Sequence, residues 1–137
     1  MATTAMKKPV LRGVIFDMDG TLTKPNLDFG EMYRRCGVSR TEDILEAVAK
    51  MEAHNALKAN TIIEEMEEHG RSTLQLMPGA VELGRWLHLH QVPMSIVTRN
   101  TCRTVETLRS LWTKGAAGHE FFSPIIARDS HENLAAK

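Results

Sequence analysis

Three short apolar runs alternate with longer segments in which apolar residues recur at helical spacing. The first run, Val14-Ile15-Phe16, stops abruptly at an acidic residue and predicts a buried strand. The second run occupies residues 92–98, with Pro93 near its start, where proline is tolerated, and the third is Pro124-Ile125-Ile126-Ala127. Strands separated by helical segments are typical of an α/β fold with a parallel sheet.

The segments between these runs carry start and stop signals for helices. The string Thr41-Glu42-Asp43 predicts the start of one helix, and Gly70 is the predicted end of a longer helix. Pro78 is predicted in the first turn of the helix that precedes the second strand. We expect that helix to carry a broad apolar face formed by Val81, Leu83, Trp86, Leu87 and Leu89.

The residues just beyond the first strand carry reactive side chains. Asp17 and Asp19 flank Met18, Gly20 permits a sharp turn, and Thr21 adds a hydroxyl. Ligands of open α/β sheets bind at the carboxyl ends of the strands, where such side chains converge. This strand end is therefore a candidate active site, with a simple acidic turn as the alternative.

The string D-M-D-G-T-L-T after V-I-F resembles the first motif of the haloacid dehalogenase-like (HAD) superfamily, whose members are mostly Mg²⁺-dependent phosphatases. The resemblance implies that Asp17 is a nucleophile that forms an aspartyl-phosphate, and that Asp19 is the general acid and base. It also implies a Mg²⁺ site formed by Asp17 and Asp19, with Gly20 and Thr21 in the substrate-binding loop. The dehalogenase branch lacks the second aspartate, so Asp19 favours phosphoryl transfer.

A second motif is predicted at the end of the second strand. The sequence Thr98-Arg99-Asn100 resembles the HAD motif in which a serine or threonine closes that strand. By this resemblance Thr98, Arg99 and Asn100 bind the phosphoryl oxygens of the substrate through a hydroxyl and backbone N–H groups. The position suits an anion, because a helix N-terminus presents unpaired N–H donors. The alternative is that Thr98 or Asn100 only caps the next helix.

An all-helical insert, residues 25–76, separates the first strand from the rest of the predicted core. It resembles the small helical cap of the phosphoglycolate phosphatase-like branch of the HAD superfamily, and such caps close over the site and select the substrate. The core then comprises residues 8–24 and 77–137, a partial Rossmann-like parallel sheet of strand order 3-2-1 with the later strands missing. The alternative is that the inserted helices merely pack on the core.

The resemblance to the HAD pattern is incomplete near the end of the sequence. Lys137 stands about where the third-motif lysine would neutralise charge on Asp17 and the phosphoryl group, and no acidic strand end follows it. We therefore expect a truncated product of a longer gene, in which Mg²⁺ binding is weak and activity is in question. Without later strands the first strand becomes an exposed apolar edge, through which chains are expected to self-associate.

Composition excludes several classes of function. The chain has 137 residues with 17 basic and 17 acidic side chains, so its net charge indicates neither a nucleic-acid partner nor an anionic membrane. No apolar run approaches the ~20 residues of a membrane helix, and we expect a cytoplasmic location. Cys36 and Cys102 lack metal or disulfide spacing, while His88 and His90 point apart on a helix and do not suggest a metal site.

The sequence thus predicts a HAD-like hydrolase, a Mg²⁺-dependent phosphatase that acts on a small phosphorylated metabolite through an aspartyl-phosphate. Two alternatives stay open. One is a non-catalytic HAD fragment that binds a partner through its unpaired first strand. The other is a sugar-phosphate mutase or phosphonate hydrolase of the same superfamily, which shares the first two motifs.

Overall fold

A computed structural model describes residues 8–116 and 121–130. In chain order, its elements are β1 (Val14–Phe16), α1 (Phe29–Cys36), α2 (Ile44–Ala49), α3 (Ala53–Ser72), α4 (Ala80–Leu89), β2 (Met94–Val97), α5 (Cys102–Gly115) and β3 (Phe122–Ile126). The chain divides into two compact units, one formed by residues up to Lys24 and from Leu76 onward, and the other by Pro25–Gln75. The predicted core and cap have nearly these bounds, but closure of a cap over a site stays a prediction.

The sheet consists of three parallel strands in the order β1-β2-β3, which confirms the predicted α/β class and strand order. The register pairs Phe16 with Ile96, and both side chains are buried. Trp112 of α5 is 2% exposed, and its ring meets that of Phe122 edge-on at 4.8 Å. The core of this unit therefore lies on the sheet face that carries Phe16 and Ile96.

The opposite face of the sheet is open among the described residues. Three large apolar side chains there are substantially exposed: Ile15 at 72%, Val97 at 46% and Ile126 at 42%. In the part of the chain that the structure describes, β1 pairs with β2 alone. Parallel sheets are normally covered on both faces, so this open face and the outer edge of β1 form an unusual apolar surface.

Two helix-boundary predictions were wrong. Gly70 lies inside α3, where it is buried, and an added Cβ would come within 3.2 Å of Leu27 Cδ2. Glycine at this position permits close packing and does not end the helix. Pro78 precedes α4, whose N-cap is Gly79 with a φ of 82°, a left-handed conformation that glycine adopts without strain.

The predicted apolar face of α4 was also wrong in part. Three of its residues are exposed, namely Leu83, Trp86 and Leu89. The buried residues of the helix are instead Ala80, Gly84 and Leu87. Trp112 packs directly against the backbone at Gly84, since a Cβ added there would lie only 2.4 Å from Trp112 Cζ2. Small residues thus decide which face of α4 is buried.

The unit Pro25–Gln75 contains three helices and no strand. Asp43 caps α2 at the predicted position and accepts hydrogen bonds from the N–H groups of Leu45 and Glu46 at 3.0 and 3.1 Å. The unit has its own apolar core, formed by Met32, Val38, Ile44, Val48, Ala59 and Ile63. Across all described residues, no helix has both the length and the apolar character needed to cross a membrane.

Candidate active site

The residues after β1 form a tight turn around the backbone carbonyl of Met18, which is fully buried. This carbonyl accepts hydrogen bonds from the N–H and the hydroxyl of Thr23 at 3.0 and 3.1 Å. Gly20 has a φ of 74°, and its N–H donates to the Thr23 carbonyl at 2.8 Å. The turn therefore fixes the backbone at Asp17 and Asp19, on either side of the buried methionine.

Asp17 is exposed at the carboxyl end of β1. Its Oδ1 accepts a hydrogen bond from the N–H of Met18 at 2.7 Å. Within the described residues this is the one hydrogen bond of the carboxylate, so Oδ2 is available for attack on phosphorus or for a cation. An exposed carboxylate with one oxygen held and the other accessible is suited to nucleophilic attack.

Asp19 is joined to the end of β2 by a hydrogen-bonded network. The side-chain amide of Asn100 donates to Asp19 Oδ2 at 2.7 Å and to Thr98 Oγ1 at 3.1 Å. Thr98 and Asn100 are both 8% exposed, although each carries a polar side chain. The structure thus brings Asp19 together with Thr98 and Asn100, two predicted site residues that lie far from it in the sequence.

The hydroxyl of Thr98 can form one further hydrogen bond, as a donor. Its oxygen accepts hydrogen bonds from both the backbone N–H and the side-chain amide of Asn100, each at 3.1 Å. A hydroxyl has two acceptor lone pairs and one donor proton. Because both lone pairs are engaged, Thr98 can act toward a ligand only as a donor, which suits a phosphoryl oxygen.

The end of β3 braces this loop. The N–H of Thr98 donates to the carbonyl of Ile126, and the N–H of Arg128 donates to the carbonyl of Asn100, both at 2.9 Å. At the start of α5, the N–H of Cys102 donates to Asp129 Oδ1 at 2.7 Å. The loop between β2 and α5 is therefore held by hydrogen bonds that need no ligand.

Comparison with known proteins points to one superfamily. The chain is 33% identical to a haloacid dehalogenase-like hydrolase domain-containing protein of Arabidopsis thaliana, over 92% of this chain and 54% of that protein. It is also 33% identical to an uncharacterised hydrolase of Saccharomyces cerevisiae, over 71% of this chain and 46% of that protein. These likenesses support the HAD superfamily for this chain. It spans about half the length of these curated relatives, and no protein-family model matches it.

A solved structure supports the same fold. The chain is similar to a protein from Thermotoga maritima assigned as a beta-phosphoglucomutase, with a TM-score of 0.50 and 22% identity. The likeness covers 86% of this chain and 62% of the other. At this level of identity it supports the Rossmann-like HAD fold and carries no information about activity.

For the remaining site residues of the predicted HAD motifs, the structure shows no hydrogen bond that joins them to the network of Asp19, Asn100 and Thr98 among the contacts described above. Thr21 and Arg99 are exposed near the two strand ends, and the N–H of Gly20 is engaged within its turn. Lys137 lies outside the described residues. Asp19, Thr98 and Asn100 are thus the predicted residues that direct hydrogen bonds join.

Asp129 was not among the predicted site residues. Its hydrogen bonds with the Cys102 side chain and N–H hold the pKa of the Asp129 carboxyl below its usual range. The same side-chain hydrogen bond, followed by burial, raises the pKa of the Cys102 thiol. A dipole-activated thiolate at the start of α5 is therefore not favoured. One sequence signal could have identified Asp129, namely an acidic residue just after the third predicted strand. The ends of parallel strands lie close to the starts of the helices that connect them, where a carboxylate can cap a helix.

The site carries carboxyl oxygens, which are ligands of the type that Mg²⁺ prefers. Mg²⁺ takes oxygen ligands, keeps several waters and is bound by one or two carboxylates together with substrate phosphate. The accessible Asp17 carboxylate meets that need. No group of three or more histidine, cysteine, aspartate or glutamate side chains is placed to hold a metal ion among the described residues. His88 and His90 instead stack on the rings of Phe121 and Trp86, respectively.

Proposed function

We propose that this chain hydrolyses a small phosphomonoester through a phosphorylated Asp17. The observation that carries the proposal is the network of Asp19, Asn100 and Thr98 at the strand ends next to Asp17. It combines an accessible carboxylate, a second carboxylate and an oriented hydroxyl donor, which phosphoryl transfer requires. The names of the two curated relatives, both hydrolases, are consistent with this proposal.

In the first step, Asp17 Oδ2 attacks phosphorus and the bond between phosphorus and the leaving oxygen breaks. Asp19 gives its proton to that leaving oxygen, so the product departs as a neutral alcohol. The Thr98 hydroxyl donates to a phosphoryl oxygen and holds the group in line with the attacking oxygen. Asp17 is then an acyl phosphate, and Asp19 is ionised.

In the second step, water attacks the phosphorus of the phosphorylated Asp17. Asp19 accepts a proton from that water, and the bond between phosphorus and Asp17 breaks. The step releases inorganic phosphate, restores the carboxylate of Asp17 and returns Asp19 to its protonated form. One carboxyl group therefore acts as acid and then as base.

Mg²⁺ is the cofactor that we propose for this site. It would be held by the carboxylate of Asp17 and the backbone carbonyl of Asp19. When bound, it would neutralise part of the negative charge on Asp17 and on the phosphoryl oxygens. The side chains of Asp19, Asn100 and Thr98 have separate tasks, namely proton transfer and the orientation of the substrate.

The direct test is hydrolysis of a generic aryl phosphate by the purified chain, with Mg²⁺ and with a chelator. We expect metal-dependent turnover that falls by about 10³-fold or more in Asp17→Asn, because the nucleophile is lost. The matched control is Asp43→Asn, the same chemical change at a helix N-cap, where asparagine is an equally good cap. Absence of turnover from folded wild-type protein would contradict the proposal, as would equal activity in Asp17→Asn.

A mutase would share the first step and differ in the second. It would pass the phosphoryl group from Asp17 to a hydroxyl of a sugar phosphate, where a phosphatase passes it to water. Incubation with a hexose phosphate distinguishes the two functions by product: an isomeric sugar phosphate indicates a mutase, and inorganic phosphate indicates a phosphatase.

The second candidate function is non-catalytic self-association through β1. It is favoured by the outer edge of β1 and by Ile15, which is 72% exposed beside it. Sedimentation velocity over a dilution series tests it, with Ile15→Lys as the disruptive variant and Leu57→Lys as a matched change in an exposed leucine of α3. A monomer at every concentration contradicts this candidate, and so does association that Ile15→Lys leaves unchanged.

A further inference from the structure

Both N–H donors of the Asn100 side-chain amide are hydrogen-bonded to other residues of the protein. A side-chain amide has two N–H donors. In the structure one is given to Asp19 Oδ2 at 2.7 Å and the other to Thr98 Oγ1 at 3.1 Å. No amide proton of this side chain is left to bind a phosphoryl oxygen.

The orientation of that amide follows from its partner. Asp19 Oδ2 is an acceptor whether the carboxyl group is ionised or protonated on its other oxygen, so the nitrogen of the amide faces Asp19. The backbone fixes the same geometry, because the N–H of Asn100 donates to Thr98 Oγ1 and its carbonyl accepts from Arg128. Asn100 is 8% exposed, so water competes little for these bonds.

We propose that Asn100 is a positioning residue that acts through Asp19 and does not bind the substrate. It holds the carboxyl group of Asp19 in the place from which a proton reaches the leaving oxygen. This inference rests on the proposed phosphatase function and changes the role predicted for Asn100 from substrate binding to the orientation of an acid. The geometry favours this role, because the shortest bond of the amide goes to the carboxylate.

Such a role has a signature that depends on the leaving group. A good leaving group, such as an aryl oxide, departs without a proton, whereas an alkoxide needs one. Misplacement of the acid therefore slows the hydrolysis of alkyl phosphates far more than that of aryl phosphates. Loss of a phosphoryl-binding donor, in contrast, slows both alike, because both esters carry the same phosphoryl group.

The experiment compares kcat/KM for 4-nitrophenyl phosphate and for a simple alkyl phosphate in the wild type and in Asn100→Ala. We expect a loss of about 100-fold or more for the alkyl ester and less than about 10-fold for the aryl ester. The comparison variant is Thr98→Val, which removes the phosphoryl donor and also a hydrogen-bond partner of Asn100, and for which we expect a large loss on the aryl ester that Asn100→Ala does not show. Circular dichroism and thermal unfolding of each variant establish that it is folded.

A second comparison uses Asp19→Ala as the background. If Asn100 acts through Asp19, then Asn100→Ala in this background leaves the ratio of the two kcat/KM values unchanged. Equal losses on both esters in the single variant would overturn the inference while the phosphatase proposal stands. A change of ratio that persists in Asp19→Ala would also overturn it. A folded wild type that hydrolyses neither ester overturns the phosphatase proposal and the inference with it.

A measurement that requires no variant of Asn100 complements the kinetics. In the ¹H–¹⁵N spectrum of the wild type, the side-chain amide of Asn100 has one proton donated to a carboxylate. We expect that proton signal to move upfield in Asp19→Ala, because the hydrogen bond to the carboxyl oxygen is lost. An unchanged signal in Asp19→Ala would overturn the positioning role.

Discussion

Replacement of Gly84 by alanine tests how tightly the unit that carries the candidate site is packed. A Cβ at this position of α4 would lie 2.4 Å from Trp112 Cζ2 and 3.0 Å from Cη2. The indole is 2% exposed and meets Phe122 edge-on at 4.8 Å, so it has little room to retreat. Gly84→Ala must therefore move either the indole or α4.

Two opposing terms set the expected magnitude. Alanine in a helix interior is favoured over glycine by about 1 kcal/mol. Overpacking of a dense core costs about 1–3 kcal/mol, and a 2.4 Å contact belongs at or above the upper end of that range. We expect a net destabilisation of about 2 kcal/mol. Unfolding entropies of about 2.1 cal/mol/K per residue convert this into a melting temperature lower by about 7 °C.

The assay is thermal and urea unfolding followed by tryptophan fluorescence, since Trp86 and Trp112 both lie in this unit. The matched control is Gly70→Ala in α3, followed by circular dichroism. There the Cβ would meet the flexible end of Leu27 at 3.2 Å, so we expect a change between neutral and about 1 kcal/mol stabilising. The reasoning is refuted if Gly84→Ala is as stable as the wild type.

A double-mutant cycle identifies the cause. Trp112→Phe removes the indole, whose outer ring carries both of the atoms that the new Cβ would approach most closely. In this background we expect Gly84→Ala to cost at least about 1 kcal/mol less than in the wild type. An unchanged cost would mean that the strain arises elsewhere.

Three further predictions concern the loop that follows β2. In Asp129→Ala the start of α5 loses its carboxylate partner, and we expect urea unfolding at pH 7 to show a loss of about 1–2 kcal/mol. Because the folded-state pKa of Asp129 is depressed, this difference is fully present above the ordinary value of 3.8 and disappears as the pH falls through the lower folded-state pKa. In a Cys36→Ser background, Asp129→Asn should raise the rate at which iodoacetamide modifies Cys102 at pH 7 by about threefold or more, since the carboxylate that raises the thiol pKa is gone. An unchanged rate would contradict that cause. Thr98→Val should lower kcat/KM for an aryl phosphate by about 10²–10³-fold through loss of one phosphoryl donor, and a loss below tenfold in steady-state kinetics would contradict this role.

Local sequence patterns predicted the elements of this chain better than their packing. The end of β1 could be placed because an apolar run stops at Asp17, and the start of α2 was correctly predicted from Thr41-Glu42-Asp43. The face of α4 could not be placed, because exposed Leu83 and Trp86 fit an apolar helical period as well as buried residues do. What decides the buried face is the approach of Trp112 to Gly84, a contact between residues distant in sequence.

In the candidate site, too, the local features could be predicted from the sequence and the contacts between distant residues could not. Parallel strands end at the same edge of a sheet, so the proximity of Asp19 to Thr98 followed from two strand-end motifs. The hydrogen bonds of Asn100 with Asp19 and Thr98 could not be predicted, because they depend on the path of the loop between β2 and α5. That path is set by hydrogen bonds with the end of β3 and the residues after it, including the one from the N–H of Arg128 to the carbonyl of Asn100.

The roles proposed for the residues at the two strand ends leave one question about phosphoryl transfer that the whole chain can answer. Attack, proton transfer and one phosphoryl donor are assigned to Asp17, Asp19 and Thr98, which all lie within residues 8–116. The curated relatives are about twice as long, so about half of each lies outside the matched region. Metal-dependent turnover by this chain that Asp17→Asn abolishes would mean that these 137 residues are sufficient for phosphoryl transfer. Its absence from folded protein would contradict the proposed phosphatase function.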